Sequence, residues 1–250
     1  MSRSALAASL LALAVHSGAD VSVAEIQILA GGGMTVPLTQ IAARFEAASG
    51  HTVVIRFGTT PELVTLATGG SPFDAAVVPR EVMQDAAARA RFAPAPTIDV
   101  ARVGLGVAVR AGAPTLDIST PEALAQTLLR ARSIATIPAS AAGAQVLRVF
   151  DRLGITEAIK PKIAAQAGPA QIVQAVANGD AELGVFLINV LTAPGLDVLG
   201  PFPPEVQQEV VYTAAVAASA KAADPAAAFI AYIRSPAGAA VIRASGMKAE

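Results

Sequence analysis

The chain has no cysteine and no tryptophan, two tyrosines, two histidines and only 15% charged residues among 250. Without cysteine there is neither a disulfide scaffold nor a thiolate metal site. Eighteen Lys+Arg against 19 Asp+Glu give a formal net charge of -1, so the basic excess that marks a nucleic-acid binder is missing. Too few apolar stretches approach the roughly 20 residues of a membrane-spanning helix for a membrane bundle. What is abundant is small and apolar. Hydrophobic residues make up 54% of the chain, swollen by 58 alanines, which is too apolar for disorder yet poor in bulky core formers.

The first residues have an export pattern. Arg3 precedes an apolar run from Ala5 to Val15, polar His16–Gly18 follows, and Ser22-Val23-Ala24 stands before Glu25. A charged start, a short apolar core and a small-residue cleavage site together predict a signal peptide over residues 1–24. The mature chain is then expected to begin at Glu25.

From there the hydrophobic period alternates between 2 and 3.6. Ile26–Ala30 reads as a buried strand that stops at Gly31-Gly32-Gly33. Leu38, Ile41, Ala42, Phe45 and Ala48 then form the stripe of an amphipathic helix, with Pro37 in its first turn and Gly50 as C-cap. Thr52–Phe57 and Asp74–Val78 are strand-like and flank a helix over Glu62–Thr68. Further elements follow at Val103–Val109, Ser133–Ile137, Ile172–Asn178, Leu183–Leu187 and Val210–Ala218. Helices are expected after Thr120-Pro121-Glu122, Gly143, Asp224-Pro225 and Ser235-Pro236. This succession predicts an α/β fold built mainly on parallel sheets flanked by helices.

In such sheets ligands sit beyond the carboxyl ends of strands, where helix N-termini point N–H groups outward. Four loops have that position: Gly31–Thr35, Gly58–Thr60, Pro138–Gly143 and Gly168–Gln171. Their small residues let a ligand approach the backbone, and Thr59, Thr60 and Ser140 offer hydroxyls. Gly32, Gly33 and Met34 are expected backbone contacts from the first loop; Ala141, Ala142 and Asn189 are those from the second half of the chain. This donor-rich set suits a small anion. The glycine run lacks G-x-G-x-x-G spacing, no phosphate-binding G-x-x-x-x-G-K-[ST] exists, and H-E-x-x-H is absent, so no cofactor or metal is expected. A serine-hydrolase triad needs histidine, and beyond the signal peptide only His51 is left.

The segments Phe57-Gly58-Thr59-Thr60 and Phe73-Asp74-Ala75-Ala76-Val77 carry a wider resemblance. So do Arg102–Pro114, Asp117–Leu124, Gly179–Gly184 and Pro194–Pro201. From about Ile26 to Met247 the chain resembles the periplasmic molybdate-binding proteins of bacterial ABC transporters and the type II solute-binding proteins around them. The resemblance implies two α/β lobes joined by crossing strands, with the ligand cleft between them. Lobe 1 is expected at 25–105 plus 215–250, and lobe 2 at 106–214. It also implies a periplasmic protein that hands a small anionic ligand to an ABC permease, with a monomer as the expected state.

The sequence departs from that family at several points. Gly33 stands where molybdate-binding relatives carry serine, Thr59-Thr60-Pro61 replaces a serine-rich loop, Leu187 stands for a tyrosine, and Pro169 has no N–H to offer. The expected ligand is therefore an organic carboxylate or an oxyanion. Some relatives are aconitate isomerases, which act without a cofactor. In that alternative Glu62 is the candidate for allylic proton transfer, and Arg56 or Arg102 pairs a substrate carboxylate.

Overall fold

A computed structural model describes residues 23–250; the expected signal peptide, apart from Val23 and Ala24, lies outside the described residues. Strand β1 (Glu25–Gly31) ends at the glycine run, which makes a 3-10 turn over Gly32–Met34 and leads into α1 (Thr35–Ser49). The predicted stripe of α1 is the buried one: Leu38, Ile41, Ala42 and Phe45 face the core, and Gly50 closes the helix at φ 76°. A left-handed residue at this place satisfies the last carbonyls, and glycine adopts it without strain.

The order continues with β2 (Thr52–Gly58), α2 (Thr60–Thr68), β3 (Ala75–Pro79), α3 (Arg80–Gln84), α4 (Ala86–Arg89) and the long β4 (Ile98–Arg110). Next come α5 (Pro121–Arg130), β5 (Ile134–Thr136), α6 (Ala141–Arg152), α7 (Thr156–Ile159), β6 (Ile163–Ala165) and α8 (Pro169–Asn178). Then follow β7 (Leu183–Leu187), α9 (Ile188–Leu191), β8 (Leu196–Pro201), β9 (Glu209–Val216), α10 (Ala223–Arg234), α11 (Pro236–Ala244) and β10 (Lys248–Ala249). Short pieces such as α3, α4, β6 and β10 have too few residues to show a period, which is why the sequence does not announce them.

The strands run β2-β1-β3-β9-β4-β7-β5-β6, with β8 and β10 also on β4. Pairing is parallel at both ends of this order, where crossover helices α1, α2, α6 and α8 return the chain. It is antiparallel in the middle, where β4 and β9 carry the chain between the two lobes. β4 changes partner part-way: residues up to Gly104 pair with β9, and those from Leu105 pair with β7 and β8.

At that change the Gln207 amide stands in for a strand. Its Oε1 accepts the Leu105 N–H at 2.9 Å and its Nε2 donates to the Leu105 carbonyl at 3.0 Å. Gly104 leaves the space, because a Cβ there would lie 3.2 Å from the Gln207 amide. The return crossing falls in residues 202–208. β9 pairs from Glu209 onward with β3 and the first half of β4, including residues 209–214 that the sequence assigns to the second lobe.

Most of the described core is one continuous cluster running through both lobes, and a smaller one lies under α2, α3 and α4. Among the described residues no single helix is long and apolar enough to cross a membrane. The bent pair α10–α11 is apolar enough by composition, and it buries Phe229, Ile230, Ile233, Val241 and Ile242 against the sheet.

Candidate functional site

The two lobes face each other across a cleft divided into two spaces. The inner one, about 30 Å³, is lined by Gly31–Gly33, Gly58–Thr60, Ser140–Ala142, Pro169, Leu187 and Tyr212, with other apolar groups. The outer one, about 800 Å³, opens from the same Gly32–Gly33, Thr59 and Pro169 towards Glu62, Gln171, Asn189 and Arg243. The inner chamber has room for one or two water-sized groups. No residue that lines it is acidic or basic.

The glycine run is explained by what presses on it. A Cβ on Gly31 would meet the Tyr212 ring at 2.7 Å, and one on Gly32 would meet Pro169 of the opposite lobe at 3.2 Å. A Cβ on Gly33 would lie 2.3 Å from the Tyr212 hydroxyl and 2.5 Å from a Leu187 methyl. A serine at this position would have no space for its side chain.

Two hydrogen bonds close the cleft. Thr60 Oγ1 accepts the Ala141 N–H at 2.9 Å, and Asn189 Nδ2 donates to the Gly33 carbonyl at 2.8 Å. The loops read from the sequence as contacts thus meet, partly by bonding to each other.

The hydroxyls and carboxylate differ in what they have left to offer. Ser140 is the N-cap of α6: it accepts the Gly143 N–H at 3.0 Å and donates its own proton to the Ile137 carbonyl at 2.8 Å. It therefore has no proton for a ligand. Thr59 donates both its N–H, at 2.7 Å, and its hydroxyl, at 2.8 Å, to the Glu62 carboxylate. This is a capping box at the start of α2. Those two donated bonds hold the Glu62 carboxyl below the usual carboxylate range, so it is ionised and engaged, which is the opposite of what a proton donor needs.

Three other residues singled out in the sequence line neither space. The Met34 side chain is fully buried in the core of the first lobe. Arg56 donates to the Pro72 carbonyl at 2.8 Å. Arg102 is held by Glu250 and Glu209 where β10 joins β4, with Lys248 also on Glu209 at 2.6 Å. Its charge is committed to the C-terminal end of the chain, away from the cleft.

Sequence reasoning missed Tyr212 and Arg243, while Gln171 closes the expected Gly168–Gln171 loop. Tyr212 is 2% exposed and comes from β9, a crossing strand rather than a loop. Its one sequence signal is a polar ring in a run of small strand residues. Among the described residues no three His, Asp or Glu side chains converge as metal ligands.

The capping role makes a direct expectation for Glu62→Gln. Stability at neutral pH should fall by about 0.5–1 kcal/mol, in the range for N-terminal caps. Because the folded carboxyl titrates below the ordinary 4.5, its ionised form stabilises the fold above that pH. The contribution fades as pH drops through the lowered value. Melting curves of both proteins from pH 7 to 3 should converge at the acid end; a constant gap would contradict the role.

Comparison with known proteins agrees with this architecture. Over 234 residues the chain is 31% identical to an aconitate isomerase of Pseudomonas sp, covering 90% of this chain and 88% of that one. It is 28% identical to the molybdate-binding protein ModA of Azotobacter vinelandii, over 97% and 94% of the two chains. The solved periplasmic molybdate-binding protein of Azotobacter vinelandii superposes with a TM-score of 0.74 at 20% identity, covering 89% of this chain and 98% of that one. The family model for bacterial extracellular solute-binding proteins matches residues 26–248. A two-lobed α/β fold closed over a small chamber, matched over essentially all described residues, makes this chain a member of the bacterial extracellular solute-binding protein family.

Proposed function

We propose that the protein captures a small anion, an organic carboxylate or an oxyanion, in the periplasm and presents it to an ABC permease. The observation that carries this reading is the inner chamber. It is walled by a glycine loop and hydroxyl-bearing residues, holds no acidic side chain to repel an anion, and lies between lobes that latch shut. Backbone and hydroxyl dipoles then bind the charge without a countercharge, and hinge closure at the Leu105 and 202–208 crossings encloses it. The reading needs no cofactor, and a monomer suffices for it.

Thermal melts with molybdate, sulfate, citrate and cis- and trans-aconitate, beside a neutral sugar, test this. A ligand at about 100 times its Kd adds about 2.7 kcal/mol to stability, so one anion should raise the midpoint by several degrees. A response to the sugar alone would overturn the reading.

The 31% identity to an aconitate isomerase supports a second reading, cofactor-independent isomerisation of cis- and trans-aconitate. Proton NMR of trans-aconitate with a trace of protein separates the two. Growth of the cis vinyl signal means catalysis, and an unchanged spectrum with line broadening at higher protein concentration means binding alone. The engaged state of Glu62 favours the unchanged spectrum.

A further inference from the structure

Four hydroxyl-bearing side chains line the inner chamber: Thr59, Thr60, Ser140 and Tyr212. Two are already committed as donors, Ser140 to the Ile137 carbonyl and Thr59 to Glu62. Thr60 accepts a bond from Ala141 and keeps its own proton. Tyr212 stands at the floor of the cleft, on β9 between Pro79 of β3 and Ala101 of β4. Its ring lies against Gly31 and its hydroxyl against Gly33, both at distances that only glycine permits. Burial, with the charge of Glu81 nearby, pushes the phenol far above its ordinary range, and no hydrogen bond contributes to the shift. The group is therefore a neutral donor at every physiological pH, and its hydroxyl, on the chamber wall, makes no hydrogen bond within the protein.

A donor without a protein partner is free to serve a ligand, and here it lines the inner chamber. We infer that Tyr212 is a ligand-contacting and specificity-determining residue, its hydroxyl donating to one oxygen of the bound anion beside Thr60. The glycines at 31 and 33 are the sites that admit its ring and hydroxyl. The volume of the inner chamber limits what it receives to the two oxygens of one carboxylate or of one edge of an oxyanion, and the rest of the ligand extends past Thr59 and Pro169 into the outer space. This rests on the anion-binding reading above and names the residue that discriminates within it.

The absence of tryptophan makes the test clean, because Tyr212 and Tyr232 are the two tyrosines. Tyr232 packs edge-on against Phe45 in the helical layer and lines neither space. Calorimetric titrations with molybdate, citrate and the aconitates would compare wild type, Tyr212→Phe and Tyr232→Phe. A lost hydrogen bond to a charged group predicts roughly ten- to hundredfold weaker binding for Tyr212→Phe, with Tyr232→Phe unchanged. Tyrosine emission of Tyr232→Phe, in which Tyr212 is the sole emitter, should change on titration with the anion that binds. That measurement also serves if Tyr212→Phe does not fold. Wild-type affinity retained within twofold in Tyr212→Phe, or a silent Tyr212 during saturation, would overturn the inference while leaving anion binding intact. If wild type binds no anion, the functional reading falls and this one with it.

Discussion

Gly33→Ala is expected to strain the closed cleft and weaken ligand binding with it. The added methyl would sit 2.3 Å from the Tyr212 hydroxyl and 2.5 Å from the end of Leu187. Leucine can rotate its methyl aside. The Tyr212 ring has less freedom, because it also lies against Gly31 and β9 is paired along both edges. Overpacking a filled site typically costs about 1–3 kcal/mol, which lowers the melting midpoint by roughly 2–4 °C per kcal/mol in a chain of this size. The double variant Gly33→Ala/Tyr212→Phe removes the atom at the closest approach, so it should recover part of that stability. This non-additivity is the signature of direct contact. A single variant as stable as wild type, or a double variant showing simple addition, would mean that loop and ring are not in contact in solution.

Asp74→Ala should be the more damaging change, through a different mechanism. Asp74 is 4% exposed and accepts three backbone N–H groups: Gln27 at 2.8 Å, Lys221 at 2.7 Å and Ala222 at 2.9 Å. One carboxylate thus ties β1, the start of β3 and the entry to α10 together. Those segments are far apart in sequence, and Asp74 is the point at which they share a partner. Its removal leaves three buried or half-buried donors unpaired at about 1–3 kcal/mol each before water compensates, so about 3–5 kcal/mol is the expected total. Urea unfolding should show a lower midpoint at an unchanged slope. Asp74→Asn keeps one acceptor oxygen and should fall between the two. A loss below about 1 kcal/mol would show that water or a shift of the α10 entry replaces the carboxylate.

The position of Asp74 also shows how legibility varied along the chain. The sequence places Asp74 at the head of the strand Asp74–Val78, and in the structure it stands just before β3. That it also braces a helix some 150 residues later has no sequence signal, because no local pattern encodes a long-range backbone acceptor. The stripe of α1 and the strand beginning at Ile26 were legible for the opposite reason: their burial follows a local period. For β4 the reading caught only the C-terminal part, Val103–Val109. Its earlier residues, Ile98–Arg102, hold strand geometry through β9 and β10, partners that are distant in sequence.

The candidate site divides in the same way. The loops at Gly31–Gly33, Thr59–Thr60 and Ser140–Ala142 could be found as small-residue breaks between strand and helix, and they do converge on one cleft. Which of their hydroxyls keeps a proton could not be read, since Ser140 and Thr59 are committed by the carbonyl and carboxylate that folding brings to them. Arg56 and Arg102 stood near strand ends in sequence, and their partners, Pro72 and the C-terminal Glu250, draw them elsewhere.

The alternation of strands and helices, the small-residue breaks between them and the absence of thiolate chemistry are written in the amino-acid order itself. Each of these depends on composition or on a period a few residues long. Tertiary structure alone decided that Tyr212 from a crossing strand reaches the glycine loop, that Gly33 must lack a side chain, and that Glu62 serves as a cap. These are facts about which atoms compete for the same few ångströms, and such competition exists only once distant segments have been packed together.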